Sequence, residues 1–187
     1  MQTTEVTQAQ WQAVMGANPS EFKGPDLPVE NVSWDDCMEF TKKLSAKVQD
    51  QLQGRKPALP TEAEWEFACR AGTKTPWSFG DDDKMAGQFA WHSGNSDEKT
   101  NPVGSKKPNP WGLYDMHGNV WEWCSDWYVE EHPAGPATDP QGPEKGNGHV
   151  RRGGAWAYWP GKQTSSTRDK DEADYRFKTL GMRAVLR

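Results

Sequence analysis

Eleven of the 187 residues are tryptophan, in a chain whose hydrophobic content is only 34% and whose mean hydropathy is −0.99. Such low hydropathy is typical of disorder, but disordered chains are poor in aromatic residues and each tryptophan can bury a large apolar area. The chain also holds 18 glycines and 14 prolines, which favour turns. The sequence therefore predicts one folded domain, residues 1–187, with short elements, many turns and an aromatic core.

Capping residues locate three helix starts in the first third of the chain. Thr7 and Thr61 each open a capping box, T-x-x-Q and T-x-x-E, in which the two side chains satisfy each other's backbone N–H groups. Ser33 precedes apolar residues at helical spacing, and Gly16 and Gly72 mark helix ends. After Gly72, short aromatic runs alternate with turn clusters, which indicates strands and loops. Helices first and strands later favour an α+β fold.

Charge is distributed unevenly along the chain. Residues 151–187 hold nine Lys or Arg against four Asp or Glu, a net charge of +5, whereas residues 1–150 carry −10. Either the acidic part docks on the basic segment inside one domain, or the basic segment forms an anion-binding face. The overall net charge of −5 does not indicate binding to nucleic acid or to a membrane surface. No apolar run approaches the roughly 18 residues of a membrane-spanning helix.

The cysteines and histidines do not match known redox or zinc spacings. Cys37, Cys69 and Cys124 form no C-x-x-C pair, and an odd number leaves no complete disulfide framework. With no secretory pattern at the N-terminus, this favours a cytoplasmic location. The three cysteines sit in apolar settings and are expected to be buried structural thiols. The four histidines are scattered, so a zinc site is not expected.

The segment from Trp111 to Trp123 places Glu122 between two tryptophans on a predicted strand. A carboxylate drawn into a core must be paired or must ligate a metal. One interpretation is an oxygen-rich calcium site formed with Asp115 and the carbonyls of the turn between them. The other is an ion pair with Arg152 or Arg183, and the residue types alone leave both open.

A second unusual segment begins at Arg151 and carries Trp156, Tyr158 and Trp159, followed by a Pro-Gly pair. Aromatic residues on a loop among polar groups are typical of a binding surface. The alternative is that Trp156 and Tyr158 point into the core. The predicted ligand contacts are Trp156, Tyr158, Trp159, Lys162, Gln163, Ser165, Arg168 and Lys170.

Six motifs occur in order between Glu5 and Arg187: EVTQAQW, PVENVSW, LPTEAEWEFA, GLYDMHGNVWEW, RGG and LGMR. Together they resemble the formylglycine-generating enzyme, or sulfatase-modifying factor, family. The resemblance implies a compact C-type lectin-like fold with little regular secondary structure, within the α+β class. The family has a strand before its E-V-T motif, and that strand is expected to be missing because only four residues precede Glu5.

The same resemblance implies which cofactors to expect. The implied calcium ligands are Asp115, the carbonyls of Gly118 and Val120, and Glu122. Active family members bind copper through a cysteine pair, and counting from Gly153 those positions fall on Tyr158 and Gln163. A phenol and an amide cannot replace thiolates as ligands for a soft metal. Copper and formylglycine-generating activity are therefore not expected.

One branch of the fold, the variable proteins of diversity-generating retroelements, resembles this chain in the RGG-A-W opening and the GMR close of its C-terminal region. That branch uses the region as a display surface. The predicted function is a non-catalytic module that binds a protein or a small polar ligand through its C-terminal loops. The alternatives are an enzyme of another oxidative or modifying chemistry on the same scaffold, or a subunit that supports an active relative.

Overall fold

The computed structural model describes residues 1–132, 135 and 137–187. Four helices lie in the first half of the chain: α1 (Gln8–Met15), α2 (Trp34–Val48), α3 (Glu62–Arg70) and the single turn α4 (Ala86–Phe89). Each of the first three begins with a complete capping box. The caps are Thr7, Ser33 and Thr61, so the three predicted helix starts are confirmed.

Six short strands form two sheets. They are β1 (Pro57–Ala58), β2 (Trp121–Trp127), β3 (His149–Arg152), β4 (Arg168–Asp171), β5 (Leu180–Gly181) and β6 (Val185–Leu186). The larger sheet has the order β4-β3-β2-β5, and β2 pairs antiparallel with β3 and parallel with β5. β1 and β6 pair antiparallel. The predicted change from helices to short strands and long loops is confirmed.

Two apolar clusters fill the domain. One joins α1 and α2 to the sheet, and in it the rings of Trp11 and Phe40 stack at 4.9 Å with 1° between their planes. The other lies beneath α3 around Trp65, which is fully buried. Trp123 on β2 is likewise fully buried, and its indole donates to the carbonyl of Val32 at 3.1 Å. The expected aromatic core is therefore present.

The three cysteines are free and buried, as predicted. Burial raises the pKa of the Cys69 thiol to about 12, so this residue stays protonated at neutral pH. In the part of the chain that the structure describes, no helix is both long enough and apolar enough to cross a membrane.

The basic C-terminal segment docks on the acidic part of the same domain. Six of its nine cations form ion pairs with carboxylates that precede residue 150. A seventh, Arg151, pairs with Asp169 and Asp171 within the segment. Most of the basic charge is thus neutralised inside the fold, which is the first of the two interpretations of the charge pattern.

Candidate binding face and buried carboxylate cluster

Three carboxylates meet one guanidinium beneath the start of β2. The cluster consists of Glu5, Asp115, Glu122 and Arg183, all of them buried. The Arg183 Nη2 atom lies 2.7 Å from Glu122 Oε1, and Nε lies 3.0 Å from both carboxylate oxygens. The Trp65 indole donates to Glu122 Oε2 at 2.6 Å. The ion pair of Glu122 is therefore with Arg183, while Arg152 pairs with carboxylates of α3.

The cluster holds more negative than positive charge. Asp115 Oδ2 accepts from the Gly104 N–H at 2.7 Å, but Oδ1 is buried without a partner among the described residues. Burial raises the pKa of Asp115 to about 6. Burial, together with the charges of Asp115 and Glu122, raises the pKa of Glu5 well above its ordinary value. Of the three, Glu122 alone is hydrogen-bonded to Arg183, and a hard cation would offset the remaining negative charge.

Backbone oxygens would have to complete the ligands of such a cation. Within the described ranges, no three His, Cys, Asp or Glu side chains converge as a metal-binding group. In the turn before β2, Gly118 has φ 122°, and a Cβ there would collide with the carbonyl of Trp91, so the turn requires glycine. The unpartnered oxygen of Asp115 fits a calcium ion, whereas the Glu122 carboxylate is already held by Arg183.

Trp159 lies on the loop between β3 and β4 and is exposed, with 58% of its surface accessible. Its ring lies on Gly161, where a Cβ would collide with the six-membered ring. The Lys162 N–H donates to the Trp159 carbonyl at 2.9 Å and closes a 3-10 turn over Pro160–Lys162. Local packing therefore holds the ring in place while much of it faces solvent.

The neighbouring aromatic residues are less accessible. Trp156 retains only 7% exposure, its ring meets Phe22 edge-on at 5.8 Å, and its indole donates to the Lys178 carbonyl at 3.3 Å. Tyr158 is half-buried, with its ring 5.7 Å from that of Trp121. Trp156 thus lies in the core, as the alternative interpretation proposed, and Tyr158 lies at its edge.

Gln163 and Ser165 are fully buried, so they support the loop and cannot touch a partner directly. The Gln163 amide donates to two backbone carbonyls at 2.9 and 3.1 Å. The backbone carbonyl of Gln163 accepts from His117 Nδ1 at 2.8 Å, and His117 Nε2 accepts from the Ser78 N–H at 3.1 Å. Burial lowers the pKa of His117 to about 4, which keeps this ring neutral.

Arg168 and Lys170 lie on β4 and are engaged elsewhere. The Arg168 guanidinium, a predicted ligand contact, binds both carboxylate oxygens of Glu62, at 2.7 and 2.6 Å, and therefore already has an ion-pair partner within the domain. The Lys170 ammonium lies 5.1 Å from the centre of the Tyr128 ring.

We call the surface formed by Tyr158, Trp159 and Lys162 the Trp159 face, because these predicted contacts are accessible and adjacent along one turn.

Sequence reasoning missed the segments that border this face. The Ser93 N–H donates to the Tyr158 carbonyl at 3.0 Å, and the Ser96 hydroxyl donates to the Trp156 carbonyl at 3.1 Å. The ring of Phe22 meets the ring of Trp156 edge-on. These residues are distant in sequence and carry no motif of their own, so only the fold brings them to the site.

The short elements, the curled sheet and the buried cluster under β2 define a formylglycine-generating-enzyme-like domain of the C-type lectin-like class. The family model of the sulfatase-modifying factor enzyme 1-like domain matches residues 1–187, and the chain belongs to this family. The predicted fold class and family resemblance are thereby confirmed.

Relatives of several kinds share the fold. The formylglycine-generating enzyme of Thermomonospora curvata is 36% identical over 166 residues, covering 79% of this chain and 50% of that enzyme. Chaperone protein LppX of Paenibacillus barcinonensis is 31% identical over 199 residues, covering 81% of this chain and 67% of that protein. Treponema denticola variable protein 1 superimposes with a TM-score of 0.91 and 36% identity, over 96% of this chain and 81% of that one. The chain spans 40% to 57% of the length of the curated formylglycine-generating enzymes that it matches.

Proposed function

We propose that this domain is a non-catalytic binding module that recognises a protein or a small polar ligand through the Trp159 face. The observation that carries the proposal is the exposed ring of Trp159, seated on Gly161. Binding energy concentrates in a few Trp, Tyr and Arg residues surrounded by polar contacts. A ring that is already held in place loses little conformational freedom when a partner covers it.

Two relatives support recognition without a chemical step, since one is named a chaperone and another a variable protein. The positions that the family resemblance assigns to the copper thiols also support it. Tyr158 stands at one of them, and Gln163 stands at the other, buried and hydrogen-bonded to the backbone. We propose accordingly that the domain uses no copper.

Gly161→Ala tests the Trp159 face without touching the tryptophan itself. The backbone φ of Gly161 is not in the left-handed region, so alanine is compatible with the turn, but its Cβ would displace the Trp159 ring. We expect both Gly161→Ala and Trp159→Ala to weaken binding of peptides selected on the wild-type protein from a random display library. A hot-spot loss of about 2 kcal/mol or more corresponds to about 30-fold in Kd, measurable by titration calorimetry.

Phe67→Ala is the matched control, because Phe67 is an aromatic residue with 68% exposure on α3, outside the face. It should leave peptide binding unchanged. Urea unfolding of the variants should show free energies close to that of the wild type. Peptides that bind Trp159→Ala as tightly as the wild type, or a Trp159→Ala protein that fails to fold, would contradict the proposed face.

We also propose that the buried cluster binds one calcium ion through the four ligands implied by the family: Asp115, the carbonyls of Gly118 and Val120, and Glu122. The charge excess of the cluster and the unpartnered oxygen of Asp115 support this site. The ion would offset carboxylate repulsion and stabilise the turn before β2. That turn supports the candidate face, because the Asn119 carbonyl accepts the Trp156 N–H at 2.8 Å.

Calcium is expected to raise the free energy of unfolding, since it would bind the folded state alone. At a calcium concentration of a hundred times the Kd, the gain is about 2.7 kcal/mol. Urea unfolding in calcium and in EDTA measures it, with magnesium as the control ion because magnesium demands a tighter octahedral site. Asp115→Asn should reduce the response. Equal stability in calcium and EDTA, with no calcium retained after dialysis, would refute the site.

A further inference from the structure

The Trp159 face carries the exposed ammonium of Lys162, which forms no ion pair with the described residues. Seven of the nine cations in residues 151–187 form ion pairs within the domain. Among the described residues, only Lys162 and Lys170 in this segment have no carboxylate partner. The Lys170 ammonium lies over the Tyr128 ring. Lys162 is exposed, and it follows Trp159 in the same turn.

A single turn of the backbone joins these two residues. Its closing hydrogen bond joins the Lys162 N–H to the Trp159 carbonyl, which makes them residues i and i+3 of a 3-10 turn. Trp159 is the extended residue that precedes the turn, and Lys162 is its last residue. The sequence Trp-Pro-Gly-Lys therefore presents a fixed apolar ring and an unpaired ammonium together, and these are the two features a partner would meet first.

We infer that the partner of the Trp159 face is an acidic protein segment, with a carboxylate next to an apolar side chain. This inference rests on the proposed function, because it concerns the same face. Covering an unpaired ammonium with an uncharged surface costs desolvation free energy that no contact offsets, whereas a carboxylate replaces the lost hydration. A basic partner would meet like charge at Lys162. Charge complementarity thus selects an acidic occupant.

The test pans a random peptide display library on the immobilised full chain in three forms: wild type, Lys162→Glu and Trp159→Ala. Peptides enriched on the wild type should carry Asp or Glu beside an aromatic or aliphatic residue. On Lys162→Glu the enrichment should change from acidic to basic residues while the apolar residue persists. A synthetic wild-type-selected peptide should lose about tenfold in affinity for Lys162→Glu, as expected for a close charge pair.

Lys170→Glu is the matched control, since it makes the same charge change at the segment's other unpaired lysine and should leave the affinity unchanged. Lys162→Arg should preserve binding. Peptide affinity should fall with added salt for the wild type and much less for Lys162→Ala. Peptides that require Trp159 but show no acidic enrichment, or that ignore Lys162→Glu, would overturn the acidic partner and leave the proposed face standing. Selection of no peptide that requires Trp159 would overturn both.

Discussion

Replacing Arg183 by methionine is expected to lower the free energy of unfolding by about 3–5 kcal/mol, because it leaves the buried carboxylate of Glu122 without its ion-pair partner. Arg183 is fully buried and contacts Glu122 through two nitrogens. It also donates to the carbonyls of Gln2 and Tyr114, at 3.1 and 2.7 Å. The methionine chain fills similar space but supplies neither the charge nor these donors. Urea unfolding in EDTA, and again in calcium, measures the loss.

Two further variants keep this prediction testable if Arg183→Met does not fold. The double variant Glu122→Gln with Arg183→Met removes both members of the pair, and we expect it to recover part of the lost stability. Arg176→Met breaks an exposed pair with Asp36 and should cost less than about 1 kcal/mol. A loss for Arg183→Met no larger than that for Arg176→Met would show that the buried pair does not hold the cluster together.

The helix starts could be predicted because their causes are local. A capping box involves two residues three positions apart, and the side chains at Thr7, Ser33 and Thr61 satisfy donors that the chain itself exposes. For the strands, the sequence predicted only that short aromatic runs alternate with turns, without the strand positions or their pairing. Their pairing, such as β2 between β3 and β5, joins segments far apart in sequence and leaves no local pattern.

The candidate site could be predicted only in part, because burial on an irregular loop depends on the surrounding fold. The sequence places Trp156 and Trp159 in one aromatic run, yet one is packed against Phe22 and the other lies on Gly161 facing solvent. The ion pair of Arg168 could not be predicted either, since its partner Glu62 is more than a hundred positions away in the sequence. The buried position of Glu122 was predictable from the flanking tryptophans, but its partner was not. The strand register places Arg152 opposite Glu122, yet Arg152 pairs with Glu62 and Glu66, and Glu122 pairs with Arg183.

The buried carboxylate of Glu30 makes stability depend on pH at the segment around Phe22, which packs beside the candidate face. Glu30 is fully buried, its Oε1 accepts the Phe22 N–H at 2.9 Å, and Oε2 has no partner among the described residues. The ring of Phe22 packs against Trp156. Burial raises the pKa of Glu30 from 4.5 to about 7, against the opposing effect of the backbone hydrogen bonds. The charged neighbours are Glu21, which adds to the rise, and Lys23, which opposes it.

Glu30→Gln is therefore expected to become more stable relative to the wild type as pH rises. The folded-state pKa of Glu30, about 7, lies above the ordinary 4.5, so the folded state binds more protons between these values. The stability that the protonated carboxyl contributes is fully present below pH 4.5 and is lost as pH rises through 7, a change of about 3 kcal/mol. Glutamine stays neutral and keeps an oxygen for the Phe22 N–H. Urea unfolding of both proteins from pH 4 to about 8 measures the difference, in which the other titrating groups cancel.

Glu21→Gln, at an exposed neighbouring carboxylate, is the control and should show no comparable trend. A difference between wild type and Glu30→Gln that stays constant across this range would mean that Glu30 remains ionised in the fold, and that its second oxygen has a partner.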